Sequence, residues 1–184
     1  LYDGVPVYSV SHLAGLYSAF NTDVVDNVNF FKSGFPASYG GRLSSVVEVN
    51  TRDGSMTDYK GSFTVGLING PIQYEGPIVK DTTSFNVAMR RSWLDVLSVP
   101  AFAVLRTIRK KSSDPYYELM DAGYSMTDFN AKVTHKIAED NVLRFGFIAG
   151  KDALKFEHRE IRSVVGEDYK FRWGNVVGYA DWQN

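Results

Sequence analysis

Histidines, paired carboxylates, serines and glycine-rich turns are the residues of this 184-residue chain whose types could do chemistry. His12, His135 and His158 lie too far apart for a metal-ligand spacing and read as surface or interface residues. Glu139 and Asp140 sit side by side before Asn141, the composition of a solvated turn. Ser44-Ser45 lacks the glycine frame of a nucleophile elbow, and no glycine run leads into the Gly-Lys-Ser/Thr of a phosphate loop. With no cysteine, thiolate chemistry and a disulfide framework are excluded. These residues point to no catalytic centre, metal or cofactor. One cationic cluster remains. Arg106, Arg109, Lys110 and Lys111 follow a stretch with Leu94, Leu97, Leu105 and Ile108 at near-helical spacing. It reads as a packed loop helix with a solvated basic end, or else as an exterior loop that meets ligand or anionic surface sugar.

The elements around these residues are mostly strands. The apolar fraction is 44%, the charged fraction 22% and the formal net charge −1, which gives no reason to expect a nucleic-acid partner. From Thr127 to Ile137 the polar Asp128, Asn130, Lys132, Thr134 and Lys136 alternate with Phe129, Ala131, Val133 and Ile137. That is a two-faced strand, joined by a turn at residues 139–141 to a second one with Leu143, Phe145, Phe147 and Ala149 on one face and Arg144 on the other. Phe63, Val65 and Leu67 alternate in the same way, as do Phe85, Val87, Met89 and Trp93 against Ser84, Asn86, Arg90 and Ser92. Near the C-terminus Phe171, Trp173, Val177 and Tyr179 are expected on the apolar face and Arg172 on the polar one. Gly76-Pro77 removes a ladder donor and predicts a bulge or an early end to its strand. Connections at 69–71, 81–83 and 139–141 read as short, whereas 95–125 and 157–168 read as long. No run of about 18 apolar residues is present, which excludes a transmembrane helix but says little about barrel strands.

The stretch from Gly34 to Gly54 carries turn residues (Gly34, Pro36, Gly40, Gly41) before a strand in which Val47 and Val49 alternate with Glu48 and Asn50. Together with Asn21 to Phe31, it resembles the end of the plug domain of TonB-dependent outer-membrane transporters. The resemblance rests on Phe31-Lys32-Ser33-Gly34, Tyr39-Gly40-Gly41-Arg42 and Val49-Asn50-Thr51-Arg52-Asp53-Gly54. An Asp3-Gly4-x-Pro6 turn, Glu75-Gly76-Pro77-Ile78, Asp128 to Lys132 and Trp173-Gly174-Asn175 extend it over essentially the whole chain.

The resemblance implies a mainly β fold that is a fragment of a plugged antiparallel transmembrane β-barrel. Residues 1–56 would be the C-terminal part of the plug and 57–184 the N-terminal strands of the barrel, the chain being a piece of a longer protein. Gly34, Tyr39, Gly40, Gly41, Arg42, Thr51 and Gly54 form the plug motif, with Arg42 either a solvated turn residue or a clamp on barrel carboxylates. Arg90, Asp128, Asn130, Lys132, Arg144 and Arg172 are expected to face the lumen. The implied function is active import of a scarce, bulky ligand (iron chelate, cobalamin, glycan or peptide) across the outer membrane of a Gram-negative bacterium; no bond of the ligand is made or broken, so the expectation is a protein that is not an enzyme. The implied partners are the inner-membrane TonB energy-transducing complex, outer-membrane lipid, the transported ligand and a surface lipoprotein. Two alternatives stay open: a soluble or surface-attached β-rich binding module, which would bury its apolar face in a core, and a passive porin without a plug.

Overall fold

The computed structural model describes residues 1–8, 10–41, 44–110, 118–160 and 166–184. The chain is mainly β, with antiparallel sheets and one α-helix among the described residues. Two small sheets come first. β1 (Ser11–His12) pairs with β2 (Tyr17–Ser18) across a 3-10 turn, and β3 (Val25–Lys32) pairs with β4 (Ser45–Thr51). The first residues lie along β4, where the amide of Asp3 donates to the carbonyl of Val49 at 2.9 Å. Asp3 and Gly4 both adopt positive φ, the turn that their types predict.

Six further strands follow in a meander: β5 (Lys60–Phe63), β6 (Asn69–Val79), β7 (Thr83–Ser92), β8 (Glu118–Ala138), β9 (Asn141–Glu160) and β10 (Gly166–Gln183). Each pairs with its sequence neighbour, so the sheet is ordered β5 to β10 and is open, with those two strands at its edges. Helix α1 (Leu94–Lys110) connects β7 to β8 and includes Pro100 within it. Asp95 in its first turn suits the positive end of the helix dipole and also holds Arg91 at 2.8 Å. The register shifts between Pro77 and Val79, the bulge that the Gly76-Pro77 step demands.

Several expected boundaries move. Residues 69–71 open β6 instead of turning the chain, and β5 ends at Phe63, so Val65 and Leu67 lie outside any strand. Most of the long connection expected at 95–125 is α1 and the first residues of β8; most of that at 157–168 belongs to β9 and β10. Cross-strand pairing to the preceding hairpin partner carries these strands further than their local polarity does, with Glu118 still opposite Glu160 and Gly166 opposite Arg159.

The two faces of the sheet are covered in opposite ways. One face carries Gln73, Glu75, Ser84, Asn86, Arg90, Asp128, Asn130, Lys132, Thr134 and Asp152, all buried. It lies against the segment before β5. The other face carries Phe63, Ile72, Tyr74, Met89, Phe145 and Phe147, and these are exposed, from 69% for Phe63 to 42% for Phe147. A sheet ordinarily buries its apolar face and wets its polar one. Here the arrangement is reversed.

Candidate functional site

Two polar networks join the N-terminal segment to the buried face of the sheet. The first is centred on His12 of β1. Its Nδ1 lies 3.0 Å from both carboxylate oxygens of Asp152, and its Nε2 lies 2.9 Å from Oδ1 of Asp128. Arg90 donates through Nε and Nη2 to Oδ2 of Asp128, at 3.0 and 2.6 Å. The same guanidinium donates to the carbonyls of Ser18 (2.8 Å) and Phe20 (3.4 Å) and lies 4.8 Å from the ring centroid of Tyr17. The hydroxyl of Tyr124 donates to Asp152 and accepts the amide of Leu13. Burial alone would lower the His12 pKa. The hydrogen bonds and negative charges of Asp128 and Asp152 outweigh it, and the net direction is upward, so the imidazolium is favoured.

The second network is centred on Lys132. Its ammonium donates to the carbonyl of Thr51 at 2.8 Å and its Oγ1 at 3.2 Å, and pairs with Asp53 at 2.9 Å. Arg144 Nε contacts both oxygens of Asp53 (2.9 and 3.0 Å), while its Nη1 reaches Asp181 and Gln183 of β10. Asp3 accepts from the amide and hydroxyl of Thr51 and from the hydroxyl of Tyr179. Desolvation would raise the pKa of Asp53, yet Lys132 and Arg144 beside it hold the carboxyl below the ordinary carboxylate range. Between the two networks, Asn130 donates to the hydroxyl of Tyr2 at 3.0 Å and Ser84 donates to the carbonyl of Asp53 at 2.7 Å.

Gly54 closes the junction sterically. Its φ is +82°, and a Cβ there would stand 2.5 Å from the carbonyl oxygen of Phe85. Only glycine lets β7 approach this closely.

Of the residues expected on one polar face, Arg90, Asp128, Asn130, Lys132 and Arg144 are brought together there, the first four buried and all but Arg144 enclosed by both layers. Arg172 is not with them. It pairs in register with Ala153, on the face that carries Phe145 and Phe147, whereas Trp173 pairs with Asp152 on the polar face. The phase of β10 is therefore the inverse of that expected. The cause is the layer beneath: Tyr2, Val7 and Phe20 line a cavity with Val177 and so give the inward side chains of β10 an apolar surface to meet. Thr51 and Gly54 lie at the junction. Gly34, Tyr39, Gly40 and Gly41 lie away from it, in the turn between β3 and β4, where Tyr39 donates to Glu48 at 2.9 Å. Arg42 lies outside the described residues, as does Lys111.

Sequence reasoning missed His12, Asp3, Asp53, Tyr124, Asp152 and Tyr179 as members of this junction. Asp152 shares its parity with Arg144 along β9, a signal within reach; the pairing of His12 with a residue 140 positions away leaves no local signal. His135 is on the opposite face and bonds Thr83 at 2.9 Å. Among the described residues, no group of carboxylates and histidines is arranged to hold a metal ion. The arrangement fastens one layer to another through ion pairs whose partners come from both. Comparison of the chain with known protein families, curated proteins and solved structures finds no match.

Proposed function

We propose that β5 to β10 are consecutive strands of a transmembrane β-barrel and that residues 1–56 are the C-terminal part of a plug held in its lumen, in a TonB-dependent outer-membrane transporter. The observation that carries this reading is the reversed burial of the sheet. In water, an exposed face of Phe63, Ile72, Phe145 and Phe147 over buried Arg90, Asp128 and Lys132 is unfavourable. Against lipid it is the arrangement a barrel wall requires, apolar outside and polar inside. The soluble-module alternative requires the apolar face to be the buried one, and the porin alternative has no use for a segment fastened by Asp53 and His12.

The dimensions agree. On β8 the outward row runs Phe129, Ala131, Val133, His135 and Ile137, apolar except for His135, which bonds Thr83 of β7, and Thr127, Ser125 and Gly123 follow on the same face. That is roughly nine residues, close to the 9–11 that a tilted strand needs to cross the hydrocarbon. β8, β9 and β10 continue well beyond the band, on the side of α1.

In this reading a ligand binds from the exterior, and energy relayed by an inner-membrane transducer breaks the ion pairs between plug and wall to open a path. The pairs are suited to that: several are reached by water, with Asp53 about one third exposed. No bond of the ligand changes. Iron chelates, cobalamin, glycans and peptides remain the substrate classes implied by the family.

Topology tests the proposal in the full-length protein. A cysteine replacing Val104, exposed on α1, should react with an impermeant thiol reagent on intact cells. One replacing Asp140, in the turn between β8 and β9 at the other end, should react only after the outer membrane is opened. Equal or reversed labelling rejects the orientation.

A further inference from the structure

Three cavities lie end to end along the seam between the N-terminal segment and the inward face of β8 to β10. The one nearest the β8–β9 turn is open, about 390 Å³, and is lined by Asp3, Asp26, Glu48, Asp53 and Asp181 together with Lys132 and Arg144. It meets a second cavity of about 10 Å³ at Thr51, Lys132 and Tyr179, which line both. A third, of about 30 Å³, meets the second at Tyr2, Asn130 and Ile148 and reaches His12, Asp128 and Asp152. One water needs about 10–15 Å³, so the third cavity has room for two waters and the second for scarcely one. Along the wall the cavities run from the row of Gln183 and Val142 to that of Trp173 and Asp152, close to the height of the outward row Phe129 to Ile137.

Tyr2 stands where the two inner cavities meet. It is 2% exposed, its ring stacks on Phe20 with centroids 5.5 Å apart, and Asn130 Nδ2 donates to its hydroxyl at 3.0 Å. The Oδ1 of Asn130, a residue only 8% exposed, has no hydrogen-bond donor among the described residues, and Asn130 lines both inner cavities. A buried amide oxygen of this kind is satisfied by a water or by a small cation. The ring hangs on a short tether. Tyr2 and Val5 exchange backbone hydrogen bonds of 2.8 and 2.9 Å around Asp3 (φ +44°) and Gly4, and the Asp3 carboxylate is held by Thr51 and Tyr179. Loosening those contacts lets the ring swing aside while Arg90 and His12 still hold the segment.

The geometry points to Tyr2 as the gate of a narrow passage for water and small monovalent cations along this seam, distinct from the wider path that release of the whole segment would open. The sign of the charge follows from the lining. The open cavity carries five carboxylates against two cations, and Lys132 and Arg144 are both paired with Asp53. In the third cavity Asp128 and Asp152 face His12, while Arg90 is turned to Asp128 and to the carbonyls of Ser18 and Phe20. Carboxylates in excess favour cations, and a width of about one water excludes larger solutes. The inference rests on the proposed reading, which sets the seam across a membrane.

The test is the conductance of the purified full-length protein in planar lipid bilayers, with potassium chloride and N-methyl-D-glucamine chloride as probes. The parent should stay near the background of the lipid. Tyr2→Ala should raise potassium conductance at least about tenfold, with a reversal potential on the potassium side and little passage of N-methyl-D-glucamine. Tyr2→Cys should leak in the same way, and restoring a ring there with benzyl methanethiosulfonate should close it. Phe30→Ala, which removes an exposed ring on β3 outside all three cavities, should match the parent. Parental conductance in folded Tyr2→Ala and Tyr2→Cys overturns the proposal, as does equal passage of potassium and chloride. Glucamine passing as freely as potassium also overturns it, because the whole segment has then left its place. A protein that is monomeric and folded without detergent would instead overturn the barrel reading, a separate outcome read before any bilayer is formed.

Discussion

Replacing Asp128 with asparagine isolates the ion-pair network at His12. The carboxylate is 3% exposed and accepts two hydrogen bonds from Arg90, itself 4% exposed, while its other oxygen faces His12. Asparagine keeps the volume and one acceptor but leaves the Arg90 charge uncompensated and turns an amide N–H₂ toward donors. Breaking a buried pair by removing one partner costs about 3–5 kcal/mol. Arg90 also holds the carbonyls of Ser18 and Phe20, so the loss falls on residues 10–20 first. At about 1.4 kcal/mol per factor of ten, a cost of 3 kcal/mol is a rise of roughly 150-fold in the population of the opened segment. Hydrogen exchange with mass spectrometry in detergent reads it directly. Protection in residues 10–20 should fall by about 100-fold or more. Protection in β3 and β4 should change by less than about tenfold, because Lys132, Asp53 and Arg144 fasten them independently. A fall of less than tenfold at residues 10–20, or an equal fall in both segments, would refute the assignment of two separate fastenings.

Gly54→Ala introduces a side chain at φ +82° and 2.5 Å from the Phe85 carbonyl, and should loosen the Asp53–Met56 junction by more than about 1 kcal/mol; Gly40→Ala, in open space, should stay within about 0.5 kcal/mol, both read from exchange at residues 49–56. The two networks should also respond oppositely to pH. The folded pKa of His12 is raised, so its contribution is full below the ordinary histidine value and is lost as pH rises through the folded value; the folded pKa of Asp53 is lowered, so its contribution is full above the ordinary carboxylate value and is lost as pH falls through the folded value. After correction for intrinsic rates, exchange should increase at residues 10–20 on the alkaline side, with His12→Gln abolishing that dependence, and at 49–53 only on the acid side.

Strand phase was legible in the sequence where polar and apolar residues alternate strictly, each set meeting a different environment. β8 is the clearest case: Asp128, Asn130, Lys132 and Thr134 alternate without interruption with Phe129, Ala131 and Val133, and the structure buries the first set. β10 was not legible, because Trp173, Val177 and Tyr179 on one side and Val176 and Trp182 on the other are apolar alike, and the face is decided by the N-terminal layer. The early part of β8, Ala122 to Ser125, carries small and polar residues in both phases and looked like loop; its strand state comes from pairing to β9. The helix at 94–110 showed through its leucine spacing. The His12 junction did not, since it joins three regions of the chain through contacts that only the folded register creates.

The central claim is that the exposed apolar face of the sheet meets lipid. Spin labels on cysteines at Ala131 and Phe147, one on each of two paired strands of that face, and at Asn130, on the opposite face, test it by collision with oxygen and with a water-soluble nickel complex. In the full-length protein reconstituted in bilayers, labels at Ala131 and Phe147 should be accessible to oxygen and shielded from nickel, as hydrocarbon-facing sites are. The label at Asn130 should be shielded from both, buried between sheet and N-terminal layer. Nickel access at Ala131 and Phe147 equal to that of a label at the exposed Asp140 turn would contradict the account.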